Sequence, residues 1–567
     1  MILQALYDYY QRKAADVDSN IAPEGWEWKE LPFLVVINQA GDFVRFEDTR
    51  EGDGRLKRAR KFLVPQSDKR TIGIKAFLLW DNIEYVLGAN PRNRSDIGKR
   101  TQAFLERVES IVDGHPDIKS VFKFIKNDPL AQVEKCSPAV WPEMLEGNVF
   151  VTFKVEGSLL DTVCAALPKT MPVSSDAGSD VCLITGEKVQ AARLHPSIKG
   201  VKDANTTGAA IVSFNLSAFC SYGKDQNRNA PVGDKATFAY TTALNRLLGK
   251  ESLNKVSIAD ATMVFWSQKP ANGFDLESNF GWFFKSDNDD PDKGVASIKS
   301  LFQAVESGRL PLDEGDQFYV LGLAPNAARL SVRFWKTGAV QDFAVKIYQH
   351  FRDFEIARGP KDLEFLSLYQ ILTSLVLAYK MDNVPPNLAG AMVFSVLEGT
   401  PYPRTLLQQC VRRIRAEQHV TRARAAILKA SMNRFNRFYN KGAREVTVSL
   451  DRMNVDPGYR MGRLFAVLEK IQEESSPGTN ATIRDRFYGA ASSTPVTVFP
   501  RLLKLKNHHL AKLNPGRKVQ MEKEIQEVMA AVQKFPSCFT LDAQAMFAVG
   551  YYHQRQDFFT KKDMDNK

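Results

Sequence analysis

The chain has 567 residues, 44% hydrophobic and 25% charged, with a mean hydropathy of −0.28; these values exclude collagen-like, mucin-like and wholly disordered chains. At one domain per roughly 150 residues, three or four domains are expected. The net charge is +11, from 76 Lys and Arg against 65 Asp and Glu, and a surplus of that size favours polyanionic partners.

The opening MILQALYDYYQRK has no leading basic region, carries Asp8 within its apolar stretch and lacks a small-residue cleavage site. It reads as a short amphipathic helix and not as a secretory signal. Residues 1–180 form an N-terminal α+β region, in which the strand-like runs FLVVINQ and NVFVTFKV are joined by helices such as 99–112. Within it, 55–100 carries twelve Lys or Arg against four acids. The centre of that patch is QSDKRTIGIKAFLLWDNIEYVLG at 66–88. A loop with Lys69, Arg70, Thr71 and Lys75 around Gly73 offers cations and exposed amides where a backbone can approach closely.

Residues 181–360 read as a β-rich central region, with β-prone runs between Gly- and Asn-rich loops and a helix from about Lys235. Asn215, Gln226, Asn227 and Asn229 lie in those loops. Such amides donate and accept at base edges, although turn chemistry alone also explains an Asn-rich loop. SDNDDPD at 286–292 is an acidic surface connection, and FYVLGLAPNAARLSVRFWKTG at 318–338 reads as strand, turn and strand.

Residues 361–445 are helical. The most apolar window, 365–379, is interrupted by Ser367, Gln370, Thr373 and Ser374 and is too short to span a bilayer, so a buried helix is expected. The segment 404–441 holds ten Lys or Arg against Glu417 alone. Drawn as one unbroken helix, Arg412, Arg415, Arg422, Lys429, Arg434 and Arg437 fall in an arc of about 140°, beside an apolar arc of about 160° containing Leu406, Cys410, Ile414, Ile427 and Phe435. Arg413 and Arg424 fall outside the division. One acid among so many bases leaves repulsion uncompensated unless an anion binds, and arginine suits bidentate phosphate contact. Together the two basic segments sum to +17, which leaves −6 for the rest of the chain.

Residues 446–567 begin with a strand-like link, EVTVSLDR, and continue as a bundle of helices expected at 459–473, 500–513, 518–535 and 541–558. The fold class that follows is α+β, with short sheets and helices first and a helical bundle last.

Catalytic signatures are missing: the chain has no phosphate-binding loop, dinucleotide-binding, zinc-protease or nucleophile-elbow pattern. His508 and His509 fall on different sides of one helix, and His195 with Cys182 and Cys220 has no diagnostic metal-ligand spacing. Six scattered cysteines suit free thiols in a reducing cytoplasm. No cofactor, catalytic residue or metal site is expected.

Seven stretches in order, MILQALYDYY, KRTIGIKAFLLWDNIEYVLG, CLITGEKVQAARLHPSIKGV, VSFNLSAFCSYGKDQNRNAPV, GLAPNAARLSVRFW, GTPYPRTLLQQCVRRIRAE and YRMGRLFAVLEKIQ, resemble the large subunit of the type I-C CRISPR Cascade surveillance complex. The resemblance runs along the whole chain. It implies a non-enzymatic, cytoplasmic subunit that senses the protospacer-adjacent motif in double-stranded DNA, assists duplex opening and R-loop formation, and supports recruitment of a helicase-nuclease. Guide pairing reads the remaining target sequence, as in other RNA-guided systems. The implied partners are CRISPR RNA, target double-stranded DNA, the Cascade backbone and RNA-end-capping subunits, the small subunit and the helicase-nuclease, with no membrane. The resemblance also implies a small subunit made from the C-terminal region by internal initiation, with Met432, Val446 and Met453 as possible starts. A nuclease of the same defence system is the competing reading, with Asp287, Asp289, Asp290 and Asp292 as its densest carboxylate cluster.

Overall fold

The computed structural model describes residues 1–559 apart from 53–56, 68–69, 71–72, 137, 170–177, 259, 272–273, 285–290, 309–315 and 479. It is an α+β protein, with short sheets toward the N-terminus and helices in the C-terminal part. The chain divides into two compact units, 1–200 with 204–250 and 326–330, and 201–203 with 251–325 and 331–567.

The first unit is built on a four-stranded sheet of β1 (Phe33–Ile37), β2 (Phe43–Asp48), β3 (Trp80–Asn82) and β4 (Phe150–Val155), in the order β2-β1-β4-β3. β1 is FLVVI, buried at every position, as expected of a strand covered on both faces. It runs parallel to β4, with Phe33 opposite Val151, a pairing that requires a long crossover. The helices between them supply it. α2 (Ile97–Glu109) and α3 (Pro116–Lys126) bring Phe104 and Phe124 to 6.3 and 6.0 Å from the Phe153 ring. In the same unit, α1 (Ile2–Ala14) packs on α4 (Asp234–Leu247), with Tyr10 edge-on to Phe238 at 5.6 Å.

Expected strands in the 180–233 block are mostly absent. VCLITGEK makes a minimal hairpin, Asp180–Val181 with Lys188–Val189, while GAAIVSF contributes isolated bridges at Ala209 and Ala210. Apolar composition there supports packing under turns, because these residues find no neighbouring strand to extend a ladder.

The second unit has an antiparallel sheet, β5 (Lys255–Ile258), β6 (Ala261–Ser267), β7 (Gln317–Asn326) and β8 (Arg329–Ala339), in that order. The strand-turn-strand expectation at 318–338 coincides with β7 and β8. The helices follow: α5 (Val340–Phe354), α6 (Pro386–Glu398), α7 (Arg404–Glu417), α8 (Arg422–Phe438), α9 (Pro457–Ser475), α10 (Ile483–Ala491), α11 (Pro495–Leu510), α12 (Pro515–Met529) and α13 (Leu541–Asp557). One hydrophobic core runs from Val256 to Tyr552, so α9–α13 share their interior with α5–α8. α9 and α13 cross backbone to backbone: a Cβ at Gly462 would lie 1.9 Å from the Phe547 carbonyl oxygen, and one at Gly550 2.2 Å from that of Tyr459.

Three local expectations are corrected. The apolar window 365–379 is α-helical only over Leu368–Thr373, opened by a Ser367–Gln370 capping box, with a 3-10 turn at Leu377–Tyr379 in which Leu377 and Tyr379 are exposed. EVTVSLDR forms no strand; the Asn433 side chain serves as its partner, exchanging two 2.8 Å hydrogen bonds with the backbone of Val446. α11 begins at Pro495, and Pro500 is accommodated inside the helix. No helix among the described residues is long and apolar enough to cross a membrane.

Candidate nucleic-acid interface

In the first basic patch, Lys69 and Thr71 lie outside the described residues. Arg70 is engaged within the fold. Its Nε donates to the Lys75 carbonyl at 2.7 Å, its Nη2 pairs with Asp81, and its guanidinium lies over the rings of Phe77 and Tyr85 at 3.8 and 4.2 Å. Asp81 is fully buried; burial pushes its carboxyl up, while Arg70 and the amides of Phe77 and Asn82 pull it back. Arg70 is thus a clamp that shapes the loop, and Gly73 and Lys75 are what the loop exposes. Gly73 has φ +85 with no atom within 4 Å of a would-be Cβ, so a ligand backbone has room there.

Other cations of this patch also face carboxylates. Buried Glu84 draws Arg94 and Arg100 to 3.4 Å and Arg92 to 4.0 Å and accepts from Asn148 at 3.1 Å. Beside it lies a cleft of about 420 Å³ lined by Glu30, Pro32, Asn82, Arg92, Asn148 and Phe150. Asn82, Arg92 and Asn148 come from separate stretches of chain, so no local motif signals their convergence.

The Asn-rich loop divides between turn chemistry and exposed groups. Asn229 accepts from Ser221 N at 2.9 Å and donates to the carbonyls of Lys224 and Gln226 at 3.0 and 2.8 Å. Asn227 is buried, Gln226 accepts from Arg193 at 3.3 Å, and exposed Asn215 accepts from Arg329. Arg329 also lies 4.3 Å from the Phe219 ring centroid. The loop held by Asn229 presents Tyr222, 98% exposed at φ 52, directly before Gly223. An aromatic in a Gly-containing turn was the available sequence signal for it.

The second basic segment is two helices, not the single unbroken one drawn from the sequence. Gln418 adopts φ 53 and ends α7, and Thr421 caps α8 by accepting from the Arg424 amide at 3.3 Å. The break rotates the two halves independently, so the single cationic arc does not exist. Lys429 and Arg434 are only 4% and 3% exposed. Lys429 Nζ donates to the Asp353 carbonyl at 3.0 Å, and burial lowers its pKa. Arg434 donates to the Tyr402 hydroxyl at 2.6 Å and the Ser395 carbonyl at 2.8 Å, with Asp353 3.6 Å away. Tyr402 in turn meets buried His350 Nδ1 at 2.8 Å. Arg422 donates to the carbonyls of Leu363 and Glu364, and Arg437 pairs with Asp353 and Glu445. Arg424, outside the predicted arc, is fully buried between the carbonyls of Ser374 and His419, both at 2.9 Å, and pairs with Glu417. Buried charges of this kind persist because carbonyls and carboxylates replace their hydration.

Arg412 and Arg415 remain exposed on α7 and make no ion pair among the described residues. Of the six predicted phosphate-binding cations, these two combine solvent access with freedom from ion pairing; Arg437 is exposed but held by Asp353 and Glu445.

No group of three His, Cys, Asp or Glu among the described residues is placed to hold a metal ion. Asp287, Asp289 and Asp290 lie outside the described residues, as does the side chain of Asp292. His195 Nδ1 meets the Tyr240 hydroxyl at 2.6 Å in a buried pair.

A search of curated proteins finds no match to the chain. The family model described as CRISPR-associated protein (Cas_Csd1) matches residues 6–559, nearly the whole sequence, and the chain belongs to that family of CRISPR-associated proteins.

Proposed function

We propose that this chain is the non-catalytic large subunit of a type I-C CRISPR Cascade complex acting in the cytoplasm. In this role it recognises the protospacer-adjacent motif in double-stranded DNA, assists duplex opening and R-loop formation, and supports recruitment of a helicase-nuclease. The observation that carries the reading is the family match from residue 6 to 559. Its partners are CRISPR RNA, target DNA, the backbone and RNA-end-capping subunits, the small subunit and the helicase-nuclease.

Groove-facing contacts are assigned to Gly73 and Lys75 in the first loop, with Lys69 and Thr71 beside them, and to Asn215 and Gln226 in the second. Arg70 and Asn229 hold those loops in shape. Phosphate contact falls to Arg412 and Arg415. The division follows from chemistry: amides discriminate base edges, whereas guanidinium groups on a helix face position the backbone. For the small subunit, a start at Val446 or Met453 keeps α9–α13 whole, whereas Met432 lies inside α8.

The test is binding of the assembled complex to duplexes that differ only in the adjacent motif. A large affinity ratio supports the reading, and equal affinities overturn it. Incubating the purified chain with DNA and magnesium or manganese checks the non-catalytic assignment, which mutation-sensitive cleavage would replace with a nuclease.

A further inference from the structure

Between Asp485 and Glu522 the chain carries seven Lys or Arg and not one acid. This stretch covers most of α10, all of α11 and the start of α12. α11 turns Val498, Phe499, Leu502 and Leu510 inward and packs on α9 and α10. At 100° per residue, Arg501, Lys504 and His508 fall within an arc of about 60° on the opposite side. All three are exposed, and so is Lys512 beyond the helix end. The other exposed residues of the helix and its end, Val496, Thr497, Pro500, Asn507 and Ala511, are uncharged, so no carboxylate interrupts the stripe.

Bases of the same stretch that turn inward are treated differently. Arg517 binds Glu474 through two hydrogen bonds of 2.7 and 2.6 Å, and His509 Nδ1 meets Ser475 Oγ at 3.0 Å. Arg501, Lys504, His508 and Lys512 make no ion pair among the described residues; Arg501 rests 5.5 Å from the Phe487 ring centroid. The helix dipole accounts for bases at the C-terminal end, where His508 and Lys512 sit, but its influence fades beyond the last turn. Arg501 and Lys504 lie further back, where like charges three and four residues apart repel. An anion from outside the chain relieves that repulsion.

From Arg501 to Lys512 the stripe runs for about 16 Å if the helical rise continues, long enough for several successive phosphates of one strand. Its outer face carries no aromatic side chain to stack on a base and a single amide, Asn507, to read one. We propose that the outer face of α11, through Arg501, Lys504, His508 and Lys512, binds the phosphodiester backbone of a nucleic-acid strand without regard to its sequence. This surface shares no residue with the loops assigned to the adjacent motif and does not depend on their role.

The experiment compares the full chain with the triple variant R501E/K504E/K512E by fluorescence anisotropy across a salt series. The probes are mixed-sequence single-stranded DNA, duplex DNA and RNA of equal length. The expected result is weaker binding and a slope of log K against log salt shallower by about 2 to 3, from three lost phosphate contacts; the probe with the greatest loss identifies the strand type. Discrimination between adjacent motifs by the assembled complex should be retained, which separates this surface from motif reading. Unchanged slopes with all three probes overturn the proposal, including the case in which only assembly with protein subunits suffers. If circular dichroism shows that the triple variant does not fold, R501Q/K504Q replaces it, with an expected slope change of about 1.5.

Discussion

α8 and α11 are both basic helices of the second unit, and they use their charges in opposite ways. α8 packs against α5, α7 and α13, so much of its circumference is covered and Arg424, Lys429 and Arg434 point into the protein. Lys429 and Arg434 consequently act as polar fasteners between helices, binding the carbonyls of Asp353 and Ser395. α11 packs against α9 and α10 and keeps a free outer face, so Arg501 and Lys504 remain in solvent. Charge density along the chain is therefore a poor guide to a binding surface. What matters is how many sides of the helix the fold covers.

The largest effect expected from this contrast is on stability. Arg434→Met leaves Asp353 buried with less compensation and frees the acceptors at Tyr402 and Ser395; a loss of about 3–5 kcal/mol is expected in denaturant unfolding. A loss within about 0.5 kcal/mol, accompanied by weaker DNA binding, would move Arg434 from the fold to the interface.

The next effect is on pH dependence. Burial lowers the pKa of His350 and of His553 to about 3, below the value of about 6.5 in an unfolded chain. Between those values the unfolded state binds more protons, so stability falls as pH drops through this window. Each histidine is expected to remove about 2 kcal/mol between pH 7 and pH 5. Replacing His350 by Gln should flatten the acid limb of the unfolding curve, and an unaltered limb would place the titration elsewhere.

A smaller effect is expected at the first loop. Arg70→Ala removes the charge partner of buried Asp81 but leaves the amides of Phe77 and Asn82 in place, at 2.9 and 2.8 Å; a cost of about 2 kcal/mol follows. Motif discrimination should fall together with thermal stability. Discrimination lost at an unchanged Tm would make Arg70 a direct reader.

The smallest stability effect belongs to α7. R412E/R415E should leave stability within about 0.5 kcal/mol and make the salt slope of DNA binding shallower by about 2. An unchanged slope would leave α7 without a role in phosphate contact.

Much of the architecture was legible locally. The hairpin at 318–338 showed itself through β-prone runs on either side of Pro325 and Asn326, and α4 through its start near Lys235. The apolar FLVVINQ predicted a strand, and the structure adds that it is covered on both faces. EVTVSLDR misled because strand propensity is realised only where a neighbouring strand is available, and here Asn433 occupies that position. The candidate site was less legible. Gly73, Lys75 and Asn215 stand exposed, but Asn229 is occupied by loop contacts within eight residues of sequence and Arg70 by Lys75, Phe77, Asp81 and Tyr85.

Composition, periodicity and seven ordered stretches were enough, without coordinates, to determine an α+β chain with helices toward its end, basic segments suited to a polyanion and a likeness to one CRISPR-associated family. Tertiary structure alone decided which cations face water. The left-handed Gln418 divides one apparent helix into two, and Arg424, Lys429 and Arg434 of the densest basic segment are buried against the core that runs from Val256 to Tyr552. Periodicity places residues around an isolated helix, whereas exposure depends on the neighbours that pack against it, and those come from residues far away in sequence.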